Sequence, residues 1–356
     1  MTSRTSTLRD DTRILRKERL EPFLEALLQD RLVFAPVRKG DTLLFERIES
    51  ARDPVLGRGN TKNSPKGALF PQTERLFAYR HGDDGPQIEA ASTGEEERVL
   101  FGVRPCDARA LLLLDRVFGG ITEDPYYAGK RRTALVVSLA CTHPDPSCFC
   151  LALGGGPCSQ EGSDLLLFDL GDRYLVGAAS EKGKALLADR LFEDADEESL
   201  GKEEKIKKKA AESLMLPAAL WEGVATEGME KRMEAFFNDP LWNDLTESCL
   251  SCGICTYLCP TCHCFDMYDE GGAASGERIR IWDSCQFPLF TRQASGFNPR
   301  PSAKERFRQR IMHKFSYLPG NVNMNGCVGC GRCVTECPVN LDIREVLVRL
   351  SRNEAT

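Results

Sequence analysis

Two cysteine runs of one form, a strand–helix–strand pattern upstream of them and a charged helical stretch in between predict the fold class. The runs are Cys249, Cys252, Cys255, Cys259-Pro260 and Cys327, Cys330, Cys333, Cys337-Pro338, each reading C-x2-C-x2-C-x3-C-P. That spacing holds [4Fe–4S] cubes in two-cluster ferredoxins. The chain is therefore expected to have an α/β N-terminal domain with a partly parallel sheet at 1–180, a mostly helical charged linker at 181–247, and a ferredoxin-like two-[4Fe–4S] domain of helices and loops at 248–356. A long insertion, 261–326, separates the two runs.

The elements follow in chain order. Apolar residues at helical spacing predict a helix over Leu15 to Leu28, followed by short strands at Leu32 to Pro36 and Thr42 to Phe45. Gly, Pro and Asn signals make Asn60 to Gln72 a loop. Arg98 to Val103 reads as a strand, Asp107 to Phe118 as a helix and Ala134 to Leu139 as a second apolar strand. This βαβ order implies parallel pairing. A hairpin over Leu165 to Leu170 and Arg173 to Val176 turns at Gly171-Asp172. Ser180 to Glu247 is helical and charged, with Lys202, Lys205, Lys207, Lys208 and Lys209 after an acidic block, and reads as a solvated helix or linker. In the insertion, Ser302 and Glu305 make a capping box, and Phe307, Ile311 and Phe315 form one apolar stripe. A terminal helix starts at Asp342 to Glu345 and turns Val346, Leu347 and Leu350 inward.

Composition bounds the function. The 356 residues suffice for two or three domains, and 42% hydrophobic with 28% charged residues is ordinary for a globular protein. A net charge of −6 argues against a nucleic-acid binder. Met1 to Arg19 lacks a signal peptide's apolar core, and no run is long enough to cross a bilayer. A cytoplasmic protein is expected, in which 16 cysteines are metal ligands before they are disulfides. The chain has neither G-x-G-x-x-G nor a P-loop, which argues against a nucleotide site of its own. Its four histidines, His81, His143, His263 and His313, are scattered, and no nucleophile is arranged with a base. No catalytic residue is assigned.

In the ferredoxin pattern three cysteines wrap one cube and the fourth reaches the other. One cluster is therefore assigned to Cys249, Cys252, Cys255 and Cys337, the other to Cys327, Cys330, Cys333 and Cys259. Pro260 and Pro338 bias the preceding cysteine toward extended backbone. Gly253, Gly329 and Gly331 are expected to let the loops approach the inorganic core. Zinc is the alternative, but its structural sites take separated cysteine or histidine pairs.

Further cysteines remain. Cys106 and Cys141 end the two βαβ strands, at the sheet edge where ligands collect, and Cys148 and Cys150 follow in the next loop. These four are proposed to hold a third [4Fe–4S] cluster, against small buried hydrophobes or zinc. Cys158, after a glycine run that reads as a turn, is left without a role. Cys262, Cys264 and Cys285 either bind a further cluster or metal together with His263, or pack beside the cubes and tune them, and packing is the preferred reading. Arg300, Arg306, Arg308, Arg310 and Lys314 read as a solvated face that has the option of raising a cluster's potential.

The segments Ser64-Pro65-Lys66 with Phe70-Pro71-Gln72, Gly102-Val103-Arg104-Pro105-Cys106-Asp107, Cys148-Phe149-Cys150, Cys259-Pro260-Thr261-Cys262-His263-Cys264-Phe265, Trp282-Asp283-Ser284-Cys285 and Asn298-Pro299-Arg300-Pro301 resemble one family over nearly the whole chain. It is the family of iron–sulfur subunits shared by anaerobic sulfite reductases, cytoplasmic sulfhydrogenases (where it is the beta subunit) and the flavin oxidoreductase modules of heterodisulfide reductases. The resemblance implies a non-catalytic relay in anaerobic metabolism. Its partners would be an FAD-bearing NAD(P)H oxidoreductase flavoprotein and, separately, the subunit with the terminal reductase or hydrogenase site. It also favours Cys106, Cys141, Cys148 and Cys150 as ligands. The rival expectation is a self-contained reductase whose N-terminal domain binds flavin or substrate.

Overall fold

The computed structural model describes residues 11–57, 59–218 and 229–352. Parts of the polar N-terminus and of the charged linker, at 1–10 and 219–228, lie outside the described residues. In chain order the strands are β1 Thr12–Arg16, β2 Leu32–Lys39, β3 Thr42–Arg47, β4 Thr73–Gly82, β5 Gly85–Ala90, β6 Arg98–Val103, β7 Ala134–Leu139, β8 Leu165–Asp169, β9 Arg173–Ala178, β10 Glu193–Asp194, β11 Phe265–Gly271 and β12 Ser275–Trp282.

The large sheet has the order β10-β1-β9-β8-β7-β6-β2-β3. Its centre, β2-β6-β7-β8, is parallel, and its flanks are antiparallel. Every residue of β6 and β7 is buried, which is why both read as unbroken apolar runs and not as alternating ones. Between them runs the helix Pro105–Phe118, two residues longer at its start than expected because Pro105 suits the first helical turn. A second crossover helix, Pro125–Thr133, was not expected; Asp124 caps it by accepting from Tyr127 N–H at 2.9 Å. The 165–178 hairpin turns through Gly171 at φ +108.

The opening differs from expectation. The helix covers only Leu20–Leu28, and Leu15, fully buried, belongs to β1, where it faces Tyr174 of β9. Its apolar residues fit either period, and a partner far along the chain decided the outcome. The insertion also holds more than a helix. Its strands β11 and β12 join β4 and β5 in a four-stranded antiparallel sheet, order β11-β12-β4-β5.

Buried charge ties this small sheet to the large one. Arg280 of β12 reaches Glu74 of β4 and Asp124, and Glu74 also receives Lys130 of the 125–133 helix. All four are paired, the condition for burying charge at tolerable cost. The C-terminal core gathers Met233 and Trp242 from the linker helices, the expected stripe Phe307, Ile311 and Phe315, and Val346, Leu347 and Leu350 of the terminal helix Ile343–Arg352. The capping box at Ser302 and Glu305 opens the helix Ala303–Met312.

Candidate metal centres

Each cysteine run makes the same turn. In the first, Ser251 and Gly253 have φ +53 and +77 and lead into a single helical turn, Ile254–Tyr257, that carries Cys255. In the second, Gly329 and Gly331 at φ +67 and +77 lead into Arg332–Thr335, which carries Cys333. Left-handed backbone suits glycine. Space demands it too, though from protein neighbours: a Cβ on Gly253 would stand 2.7 Å from the Phe287 ring, and one on Gly329 2.6 Å from Cys150 N. The glycines therefore also serve packing between loops.

Two cavities lie between the runs. Cys249, Cys252, Cys255 and Cys337 line one of about 490 Å³, together with Gln286, Phe307, Arg310 and Cys333. Cys259, Cys327, Cys330 and Cys333 line another of about 300 Å³, with Phe149, Arg310 and Lys314. The first cavity thus takes three cysteines from the first run with Cys333 and Cys337 of the second, and the second takes three from the second run with Cys259 of the first. Burial pushes the Cys255 and Cys327 thiols up to about 12, so either would stay protonated without a compensating cation or metal. Among the described residues, no three His, Cys, Asp or Glu side chains converge on a point as ligands of a single ion would.

Buried cations whose electrostatic partners are thiols stand in or near the cavity walls. Arg310 is 3% exposed, lines both cavities, and has an Nε without a hydrogen-bond partner. Lys314 donates to Cys259 Sγ at 3.3 Å, Thr261 Oγ1 at 3.1 Å and Gly326 O at 2.7 Å. Lys66 donates to Cys259 O at 2.9 Å and Cys262 O at 2.8 Å and stands over the Trp282 ring at 4.1 Å. A cluster with four thiolates carries net negative charge, so buried cations gathered about thiols and an orphaned N–H fit its presence. Arg310 and Lys314 are therefore not the solvated face expected. Lys66 carried no local sequence signal beyond its place in the resembling segment.

The N-terminal thiols collect at the end of the parallel strands. Cys148 and Cys150 are buried, and both feel the Cys141 thiol, while burial pushes them up to about 12 and about 11. Cys106, in the first turn of the 105–118 helix, packs with Ala110, Val328 and Cys330 and faces Cys150 from that side. Cys158 also stands beside Cys141, whose N–H donates to Pro157 O at 2.8 Å. This group abuts the second run: Phe149 N–H donates to Gly329 O at 2.9 Å, and Cys148 Sγ to Cys330 O at 3.6 Å.

The remaining thiols have thiol neighbours: Cys262 and Cys259 perturb each other's titration, and so do Cys264 and Cys285. His263 binds Thr261 O through Nδ1 at 3.0 Å, and burial lowers it to about 4, so it is neutral at physiological pH.

Residues 248–341, which include both runs, match the 4Fe-4S dicluster domain family. Over 336 residues the chain is 32% identical to Sulfhydrogenase 2 subunit beta of Pyrococcus furiosus, covering 94% of this chain and 96% of that one. The chain belongs to the sulfhydrogenase beta-subunit family of iron–sulfur proteins. The matched range runs on through 261–326, the stretch that carries β11, β12 and the 303–312 helix. No solved structure matches the chain. Among the described residues no helix is long and apolar enough to cross a membrane.

Proposed function

We propose that this chain is the electron relay of a multi-subunit cytoplasmic oxidoreductase. It would stand between a flavoprotein that exchanges electrons with NAD(P)H and a terminal site on another subunit, of sulfite or sulfur reductase, hydrogenase or heterodisulfide reductase type. The observation that carries the reading is the crossed lining of the two cavities, with the N-terminal thiol group packed directly on the second. Cys249, Cys252, Cys255 and Cys337 would hold one [4Fe–4S] cluster, Cys327, Cys330, Cys333 and Cys259 the other, and Cys106, Cys141, Cys148 and Cys150 a third. Bound there, such clusters supply one-electron exchange at potentials set by charge, hydrogen bonds to sulfur and exposure.

The adjacency of the protein's own residues supports a route. The 147–150 loop touches the second run, and Cys333 and Arg310 belong to the walls of both cavities. Cys252 is exposed at the far side. A line therefore leads from the N-terminal thiols through the second cavity to the first and out at Cys252. Phe149 lines the second cavity and Phe307 the first, and Lys314 donates to the Cys259 sulfur.

A second reading, a reductase with its own flavin or substrate site, has one observation in its favour. An open cleft of about 1600 Å³ between β8, β9 and the helix Glu197–Ala218 has Cys158 in its wall, with Phe168 and Lys207. Iron and acid-labile sulfide counted on anaerobically purified chain test both readings. About twelve irons, with no flavin absorbance, support a three-cluster relay. About eight remove the third cluster; retained flavin favours the second reading; zinc or no iron ends both.

A further inference from the structure

Cys264 and Cys285 enter none of the proposed cluster sets. Cys264 immediately precedes β11 and Cys285 follows β12, and the hairpin register, closed by Phe265 opposite Trp282, continues one step further where Asp283 N–H donates to Cys264 O at 3.0 Å. Beyond that bond the chain is pinned. Ser284 Oγ and Thr256 Oγ1 share a 2.7 Å hydrogen bond, and Gln286 N–H donates to Ser284 Oγ at 3.1 Å. This brings Cys285 back beside Cys264, near enough that each thiol perturbs the other. Gln286 Nε2 approaches Cys285 Sγ at 3.7 Å from the other side.

Among the described residues no third ligand converges on the two neighbouring thiols as it would for a single ion. They are well placed to bond to each other. The neighbourhood favours the sulfur anion needed for that: Cys285 above all, and then Lys314 and Lys66, lower the Cys264 thiol against the opposing effect of burial. The pair also adjoins the proposed relay. Gln286, next in chain, lines the first cavity, and the Cys255 thiol there feels Cys285.

We propose that Cys264 and Cys285 form a redox-active dithiol that exchanges two electrons with the centres in the adjacent cavities. The proposal rests on the reading that those cavities hold iron–sulfur clusters. On oxidation the Cys285 S–H bond breaks and a Cys264–Cys285 S–S bond forms, with Cys264 supplying its sulfur as thiolate. Two electrons leave one at a time to two oxidised iron–sulfur clusters, and one proton passes to water on the half-buried Cys264 side. Reduction reverses each change. The site would join one-electron carriers to a two-electron, proton-linked store, which suits a chain serving partners that handle electron pairs.

The test uses the full chain, purified anaerobically with its clusters and poised at a series of potentials. Samples are quenched in acid, alkylated under denaturing conditions, and digested without reductant. The expected result is one cross-linked peptide pair joining Cys264 to Cys285, appearing and disappearing reversibly with a two-electron slope. In Cys285→Ser that pair is absent and the iron count equals the parent's. Iron present but no Cys264–Cys285 cross-link at any potential overturns the dithiol and leaves the relay standing, as does loss of about four irons from Cys285→Ser with unchanged circular dichroism. If the parent chain itself lacks iron, the relay reading fails, and the dithiol as proposed fails with it.

Discussion

Arg332 of the second run donates to both carboxylate oxygens of Asp107, at 2.6 and 2.8 Å, with Asp107 2% and Arg332 4% exposed. The pair joins the first turn of the helix after β6 to the loop between Cys330 and Cys333, and Arg332 Nε donates to Thr61 O at 2.8 Å as well. It is a buried, charged tie between the helix after β6 and the second run. Asp107→Asn leaves a buried guanidinium without its counter-charge, at a cost of about 3–5 kcal/mol. Anaerobic denaturant titration should show that loss, along with a fall in bound iron.

Crossed ligation makes a distinctive prediction about pairs of substitutions. Cys255→Ala and Cys337→Ala should each remove the same cluster, so the double variant should lose about four irons, no more than either single variant. Cys255→Ala combined with Cys327→Ala should lose about eight. If C255A/C337A loses both clusters, the sets are not crossed.

Lys314 singles out the second cavity. Its N–H bond to Cys259 Sγ strengthens when the cluster gains an electron, so Lys314→Met should make that cluster harder to reduce. A differential interaction of about 1.4 kcal/mol corresponds to about 60 mV for one electron. Potentiometric electron paramagnetic resonance should show one signal shifting to more negative potential by that order, and the other moving less.

The second run's glycines differ from an ordinary turn glycine. Gly40, at φ +58 with open space around it, should accept alanine at about 1–2 kcal/mol. Gly329→Ala has the same left-handed cost and also drives its Cβ into Cys150 N, so its loss of stability should be clearly larger. Equal melting temperatures for the two variants would contradict the close loop contact.

His313 gives a pH dependence. Burial first, then His263 and Lys314, lower it to about 3 from the usual 6.5. The unfolded chain therefore binds a proton that the folded chain refuses, and stability falls as pH drops below about 6.5. By pH 5.5 the loss attributable to this group is about 1 kcal/mol. His313→Gln should flatten the difference between pH 7 and 5.5 by that amount in the same denaturant titration.

What the sequence revealed was local. The βαβ unit was legible to within two residues because β6 and β7 are buried on both faces and leave no ambiguous alternation. The cysteine runs were legible because their spacing is itself the geometry. Non-local pairing was not. β1 looks like the start of a helix until β9 arrives beside it, and β11, mostly exposed and acidic, gives no strand signal apart from its hydrogen bonds to β12. The cations were misjudged for a related reason: Arg310 and Lys314 occupy a polar-looking helix whose far neighbours, and not its own periodicity, put them indoors.

The small sheet has a consequence for how the polypeptide can be divided. β12 lies between β11 and β4, so one hydrogen-bonded neighbour comes from its own half of the chain and the other from near residue 75. A fragment beginning at Thr246 would expose the β12 edge and strip Arg280 of Glu74 and Asp124 together. The ferredoxin-like portion is thus no detachable cassette. It was fitted to its neighbour strand by strand, and the two must be inherited, expressed and matured as a single piece.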